Sequence, residues 1–398
     1  MAEKRKIGVF TGNRAEFSML IPIIKCIAED SRLEHCLIVS GAHLEEIHGN
    51  SIGEIEREGF EIHYKLPLEH KGGGNALSTT KVIGEIILKA SELFAKIELD
   101  LILIASDRFE SFGALVAATQ MNIPTAHFEG GDITQGGALD DSLRHAMTKL
   151  SHIHFTTNSE ASQRLLRMGE EEYRVTNVGF PGTDAVSSGD FMKKNKVVEN
   201  LGLDLNKPIV LFTQHSITSE PEKGTEQVIP SIEALEDFQR KSNGQVIITY
   251  PNNDAGGELI IKELEKLRAK KIKGFQFFPH LGRHRYYGLL NILGNHSRGV
   301  VVGNSSSGIK ETPLFNCPSI IVGNRQDGRL RGSNVITVDY KRYEIFNAIN
   351  KCVSDEIFRE SCGNIVNPYG SGNSGKLIAK ILSTVELGYD LLNKQITY

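Results

Sequence analysis

The chain has 398 residues, with 45 Lys and Arg against 49 Asp and Glu, a formal charge of −4. That near balance excludes a general nucleic-acid binder, which carries a basic excess, and 40% apolar with 24% charged residues excludes a disordered chain. No apolar run is long enough to span a bilayer, no secretory leader is readable and the five scattered cysteines form no CxxC pair. A cytoplasmic protein without a disulfide framework or zinc site is expected.

Short apolar strands alternate with amphipathic helices. Lys6–Gly12 reads as a strand ending in glycine, and Phe17–Ala28 as a helix with Leu20, Ile23, Ile24 and Ile27 on one stripe. Cys36–Ser40, Leu101–Ala105 and Thr125–Phe128 are the next clear strands, with a helix to about Met121 after the second of them. His70–Asn75, with three successive glycines, reads equally as a lid or a surface connection. The pattern weakens over Ser187–Lys207 and resumes at Pro208–Phe212, Gln245–Tyr250, Gly299–Val302 and Ser319–Val322. Apolar strands without alternation, joined by helices, imply parallel sheets covered on both faces. The predicted fold is α/β: two Rossmann-like doubly wound domains with parallel sheets facing a central cleft, the first over residues 1–185 and the second from 186 to 373. Ligands of such sheets bind beyond the carboxyl ends of strands.

Those strand ends carry the chemistry. Val302–Glu311 runs from a strand through Gly303, Asn304, Ser305 and Ser306 into a helix, which suits a phosphate on orphan amides; ordinary serine capping is the plainer alternative. Thr11–Ser18 places Arg14 just past a strand-end glycine, where its fork of donors can clamp a phosphate, or pair with an acid at the surface. Asp107, in Ala105–Arg108, and Glu129, in His127–Asp132, are acids at adjacent strand ends, and Asp140 opens a helix with Arg144 on the same face. Each acid alone reads as a cap or ion pair; together they point to acid/base chemistry. His215 follows a further strand and can donate to a phosphate or carry a proton. No histidine and acid cluster has metal-ligand spacing. Gly370–Lys376 matches most of a Walker A loop, but Leu377 stands where a Ser or Thr binds magnesium, so it reads as a glycine-rich turn before the final helix.

The strings TGNRAEFS, SGAHL, SDRFE, HFEGGD, DDSLRHAMTKLSHIHF, TQHSIT, PNNDAG, GNSSSGIKE and GNRQDGRLRG, in this order from residue 11 to residue 332, resemble the hydrolysing UDP-N-acetylglucosamine 2-epimerases. The resemblance implies the GT-B architecture, with residues 374–398 forming a C-terminal helix, Ser374–Leu392, that returns to the first domain. It implies elimination of UDP to a 2-acetamidoglucal, then hydration to N-acetylmannosamine, with Asp107, Glu129, Asp140 and His215 as the catalytic groups. Which acid removes the C2 proton stays open. Arg14, Ser18, Ser305 and Ser306 would hold the diphosphate, and Glu311 would accept both ribose hydroxyls. His43, Arg108, Arg144, Asn252 and Arg325 would line the sugar–phosphate region, and Phe275–His280 would contact uracil. The resemblance implies no cofactor, no metal, a UDP-sugar as ligand, neither nucleic acid nor membrane as partner, and a homodimer or homotetramer.

An alternative within the family is a hydrolysing 2-epimerase of UDP-N,N'-diacetylbacillosamine. A non-hydrolysing epimerase typically carries EAGLRT where this chain has Glu129-Gly-Gly-Asp132. A glycosyltransferase of the same architecture needs an acceptor site that no motif marks, and the strand-end acids count against a mere nucleotide-sugar sensor.

Overall fold

Buried aliphatic runs become the strands of two parallel sheets. The computed structural model describes residues 4–45, 52–70, 76–134, 138–252, 254–370 and 372–398. All but His70 of the expected His70–Asn75 segment therefore lies outside the described residues. The first sheet holds β1 (Arg5–Thr11), β2 (Leu33–Ser40), β3 (Tyr64–Leu66), β4 (Leu101–Ala105), β5 (Thr125–Phe128), β6 (Ile153–Thr156) and β7 (Val175–Asn177), in the order β3-β2-β1-β4-β5-β6-β7. The second holds β8 (Ile209–Thr213), β9 (Gln245–Thr249), β10 (Phe275–Phe278), β11 (Gly299–Gly303), β12 (Ser319–Val322) and β13 (Val335–Val338), in the order β10-β9-β8-β11-β12-β13. Every pairing is parallel, with Val9 beside Leu103 in the first sheet and Val302 beside Phe212 in the second.

The chain divides into two compact units. One comprises Met1–Ile133, Leu139–Ala185 and Tyr369–Tyr398; the other comprises Thr134–Ala138 and Val186–Pro368. In the first, Phe10, Ile38, Ile102 and Ile104 pack under Ile86 and Phe94 of the helix Ala76–Phe94 and Leu115 of the helix Phe109–Gln120. In the second, Val210, Phe212, Val246, Val300 and Ile320 pack under Val228 and Leu235 of Gly224–Ser242 and Ile349 of Arg342–Ser354. Each such side chain contributes about 1.5–3 kcal/mol by leaving water.

β3, β7, β10 and β13, which the apolar pattern does not mark, are the four sheet edges, and their residues are mostly half-exposed. An edge strand has one free side and needs no continuous apolar run. The weak stretch Ser187–Lys207 contains a helix, Lys194–Leu201, of which only Val197 and Leu201 are buried. The helix expected over Ser374–Leu392 is two pieces, Ser374–Thr384 and Tyr389–Leu392, because the backbone turns extended at Val385.

The final segment is tied firmly into its unit. A Cβ on Gly375 would lie 2.6 Å from the Pro22 carbonyl of the helix Arg14–Glu29, so the two helices touch backbone to backbone. The Asp184 carboxylate accepts the amides of Ser374 at 3.0 Å and Gly375 at 2.7 Å, which fills the helix start that the Walker-like string precedes. Buried Arg174 donates to the carbonyls of Asp390 and Leu391 at 2.8 and 2.7 Å. Lys394 donates to those of Thr148 and Ser151 at 2.9 and 2.8 Å, and pairs with Glu170 at 2.7 Å.

Candidate functional site

Each sheet reverses its strand order once, between β1 and β4 in the first and between β8 and β11 in the second. Such switch points leave a crevice beyond the carboxyl ends of the strands. The motif residues fall there.

In the first unit, β1 ends at Thr11, and Asn13 caps the helix Arg14–Glu29, its side chain accepting the amides of Ala15 and Glu16 at 2.9 and 3.1 Å. This cap starts the helix at Arg14, three residues before the expected start at Phe17. Arg14 is half-buried, and burial lowers its pKa, with Glu54 opposing. Ser18 donates to the Arg14 carbonyl at 2.9 Å. His43 is fully buried, its Nε2 2.9 Å from the Thr11 hydroxyl, so it supports the strand end from behind. Burial pushes its pKa down to about 4.

β4 turns sharply at Ser106, a non-glycine residue in the left-handed region at φ 68°. Its amide donates to the Phe128 carbonyl at 2.9 Å, its hydroxyl to Asp107 at 2.9 Å, and its carbonyl accepts Nε2 of buried His127 at 2.7 Å. Glu129 also stands in the left-handed region, at φ 71°, and is 8% exposed. Strained backbone held by its surroundings at two adjacent strand ends is characteristic of functional sites. Burial pushes His127 down to about 4, so it is a neutral donor at pH 7.

Arg144, only 1% exposed, gathers these acids. It binds Asp107 on one arm; on the other it reaches Asp141 at 2.5 Å and the Asp132 carbonyl at 2.8 Å. Burial disfavours its charge, but Asp107, Asp132, Asp141 and Glu129 more than offset that and raise its pKa. Asp140 is half-buried in the first turn of the helix Ala138–Leu150.

The motif strings also contain a buried acid pair that the site reading passes over. Glu16, 1% exposed, accepts the Gly12 amide at 2.9 Å and the Ser111 hydroxyl at 2.7 Å. Burial, with Glu110 beside it, pushes Glu16 up to about 8 against those hydrogen bonds and the charge of Arg108. Glu110 fills the space over Gly12, whose Cβ would lie 2.6 Å from that of Glu110, and Arg108 Nε sits 3.4 Å from its carboxylate. Both acids open the helices that follow the switch strands, a position that reads from sequence as capping.

In the second unit, Gly303 ends β11 at φ 140°, and a Cβ there would lie 1.8 Å from the Thr213 carbonyl of β8. Only glycine lets these two strand ends approach so closely. Buried Asn304 then clamps His215, accepting its amide at 2.6 Å and donating to its carbonyl at 2.8 Å. The Asn252 amide donates to His215 Nδ1 at 3.2 Å, which assigns the ring proton to Nε2. Arg325 donates to the Asn304 carbonyl at 3.2 Å and lies 3.8 Å from Asp254. Ser305 and Ser306 are half-buried before a helix of one turn, Ser307–Lys310, which gives way to a 3₁₀ turn, Thr312–Phe315, at Pro313. Glu311 stands at that junction, one oxygen accepting Tyr287 at 2.9 Å and the other Ser307. Thus Arg14, Ser18, Asp107, Arg108, Glu129, Asp140 and Arg144 belong to the first unit, and His215, Asn252, Ser305, Ser306, Glu311 and Arg325 to the second. Among the described residues no helix is long and apolar enough to cross a membrane.

The chain has relatives in sequence and in fold. The chain is 34% identical over 384 residues to a GDP/UDP-N,N'-diacetylbacillosamine 2-epimerase (hydrolyzing) of Campylobacter jejuni, covering 96% of this chain and 97% of the relative. It is 32% identical over 390 residues to the UDP-N,N'-diacetylbacillosamine 2-epimerase (hydrolyzing) of Legionella pneumophila, covering 98% of each. It is 36% identical over 352 residues to a UDP-N-acetylglucosamine 2-epimerase of Neisseria meningitidis, covering 88% of each. A crystal structure of UDP-GlcNAc 2-epimerase from Neisseria meningitidis bound to UDP-GlcNAc has the same fold, with a TM-score of 0.79 at 18% identity over 95% of this chain and 99% of that one. The fold is therefore of the GT-B-like class, with two Rossmann-like domains. Residues 25–383 match the UDP-N-acetylglucosamine 2-epimerase family, so that strand-end acids, serine loop and fold all lead to one assignment: the chain is an enzyme of that family.

Proposed function

We propose that this enzyme is a hydrolysing 2-epimerase whose substrate is UDP-N,N'-diacetylbacillosamine, the alternative rather than the first of the two sugars expected from sequence. The names of the Campylobacter and Legionella relatives support this choice of sugar. The observation that carries the chemistry is the grouping around one buried arginine of Asp107 at the β4 end, Glu129 and Asp132 at the β5 end and Asp141 of the following helix. In the first step a carboxylate takes the C2 proton, C1=C2 forms, and the C1–O bond breaks with its electron pair leaving on UDP. Water then adds its hydroxyl to C1 while a proton returns to C2 on the opposite face, giving the free 2-epimer. Asp107, Glu129 and Asp140 form the acid/base set, and Arg144 positions Asp107. Ser305, Ser306 and the Nε2–H of His215, all of the second unit, stabilise diphosphate charge as it develops, whereas the Ser18 hydroxyl is already spent on the Arg14 carbonyl. Glu311 accepts the ribose hydroxyls.

UDP-N-acetylglucosamine is the second reading, favoured by the Neisseria relative. Incubation of the enzyme with each UDP-sugar in heavy-oxygen water, sampled early against a no-enzyme control, separates the cases. The expected products are labelled free 2-epimer and unlabelled UDP, with higher kcat/KM on the bacillosamine sugar. A higher kcat/KM on UDP-N-acetylglucosamine would move the substrate to the second reading. A UDP-linked epimer as the stable product, or label in UDP, would overturn hydrolysis.

A further inference from the structure

Two hydroxyls hold Glu311 from behind, and a third braces one of them. Tyr287, 3% exposed on the helix Arg283–Asn295, donates to one carboxylate oxygen at 2.9 Å. Ser307 donates to the other, which leaves its own oxygen to accept from Tyr286 at 2.6 Å. The Tyr287 ring is fixed against Phe315, centroids 5.6 Å apart. Burial and the neighbouring Glu311 raise both phenols above their ordinary value, so they remain donors throughout the working pH range. Burial raises Glu311 too, with the Ser307 and Tyr287 hydrogen bonds and the Lys310 charge opposing.

A carboxylate oxygen has two lone pairs. One on each oxygen is taken inside the fold, and Glu311 itself is only half-buried. What remains is one lone pair per oxygen, side by side, a match for two neighbouring hydroxyls. We propose that Tyr287 and the Tyr286–Ser307 pair are positioning residues that turn Glu311 into an acceptor for a vicinal diol, and so make the enzyme select nucleotides with both ribose hydroxyls over 2'-deoxynucleotides. This rests on the assignment of Glu311 to ribose. The selectivity arises because a 2'-deoxynucleotide strands one lone pair of a desolvated carboxylate, and such losses are costly.

Calorimetric binding of UDP and 2'-deoxy-UDP to the full-length enzyme tests it. The wild type is expected to prefer UDP by about tenfold or more, the scale of one hydrogen bond to a charged acceptor. Glu311→Ala should abolish the preference. Tyr287→Phe should cut it at least about threefold, with the kinetic loss in KM rather than kcat. A packing defect would weaken both nucleotides equally and leave the ratio alone. If Glu311→Ala abolishes the preference and Tyr287→Phe keeps the wild-type ratio, the tyrosine proposal is wrong. If the wild type has no preference, or Glu311→Ala retains it, the ribose assignment fails, and this proposal with it. Should Tyr287→Phe not fold, Ser307→Ala reports the same ratio, and no change there overturns the proposal.

Discussion

Replacing Arg144 with Met removes the cation that binds Asp107 and Asp141, while keeping most of its volume. Each acid, at 17% and 19% exposure, loses this ion pair, and the Asp132 carbonyl loses a donor. Breaking a buried ion pair by deleting one partner costs about 3–5 kcal/mol. Water still reaches both acids in part, so the lower end, about 3 kcal/mol, is expected. With a urea m-value of about 2 kcal/mol/M, that moves the midpoint of the first unit's transition down by about 1.5 M. The penalty is electrostatic and therefore depends on pH. It is largest near neutrality, where carboxylates as a class are ionised, and shrinks in acid. Asp141→Asn in the Arg144→Met background should cost less than in the wild type, since the repulsion it relieves exists only there. A shift under about 0.5 M, a penalty independent of pH, or strictly additive effects of the two substitutions would refute the reasoning.

Asp140→Asn should lower kcat about 10²-fold or more, and Asp141→Asn, whose carboxylate binds Arg144, should lower the urea midpoint; an unchanged midpoint in the second variant would contradict that pair. Glu16 is raised to about 8, so the folded protein binds the extra proton between the ordinary carboxylate range and pH 8, and stability falls as pH rises through that window. Glu16→Gln should remove that decline in urea midpoints measured from pH 6 to 9, and a decline of wild-type size in the variant would show that Glu16 is not its source. The histidines His43, His127 and His152, each lowered to about 4, act in the opposite sense: stability falls as pH drops from about 6.5 to 4, which thermal midpoints across that range will show as a loss that His127→Asn reduces. Gly303→Ala sets a methyl 1.8 Å from the Thr213 carbonyl and should cost several kcal/mol or prevent folding; a soluble variant of wild-type midpoint would contradict the close approach of β8 and β11.

The central strands are legible in the sequence because they are buried on both faces, so Leu101–Ala105 and Gly299–Val302 read as unbroken apolar runs. The edges are hidden for the same physical reason: Val175–Asn177 has only one strand neighbour and tolerates polar residues. Asp107 and Glu129 could be found because strand-end acids stand out against the apolar run before them. Arg144 reads as a substrate-binding residue on the face of Asp140, yet it binds Asp107, 37 residues away, and only the parallel order β4-β5-β6 brings them together. The support behind Glu311 is equally non-local, since Tyr286 and Tyr287 are 21 and 24 residues upstream of the groups they touch. Glu16 and Glu110 lie within recognised strings, but nothing local tells a capping acid from one of a buried pair 94 residues apart.

The first unit is built from both ends of the chain, and that fixes an order of assembly. Domains generally fold from the N-terminus onward as they are synthesised. Here every residue of the second unit has left the ribosome before Tyr369–Tyr398, the last part of the first unit, emerges. The second unit can thus finish while the first still waits for its closing helix. During that interval the face of Arg14–Glu29 around Pro22 and Cys26, which Gly375 later meets, stands open to solvent. Nascent chains stalled before Ser374 should leave the Cys26 thiol open to reaction, and its protection is a clock for the moment the first unit closes.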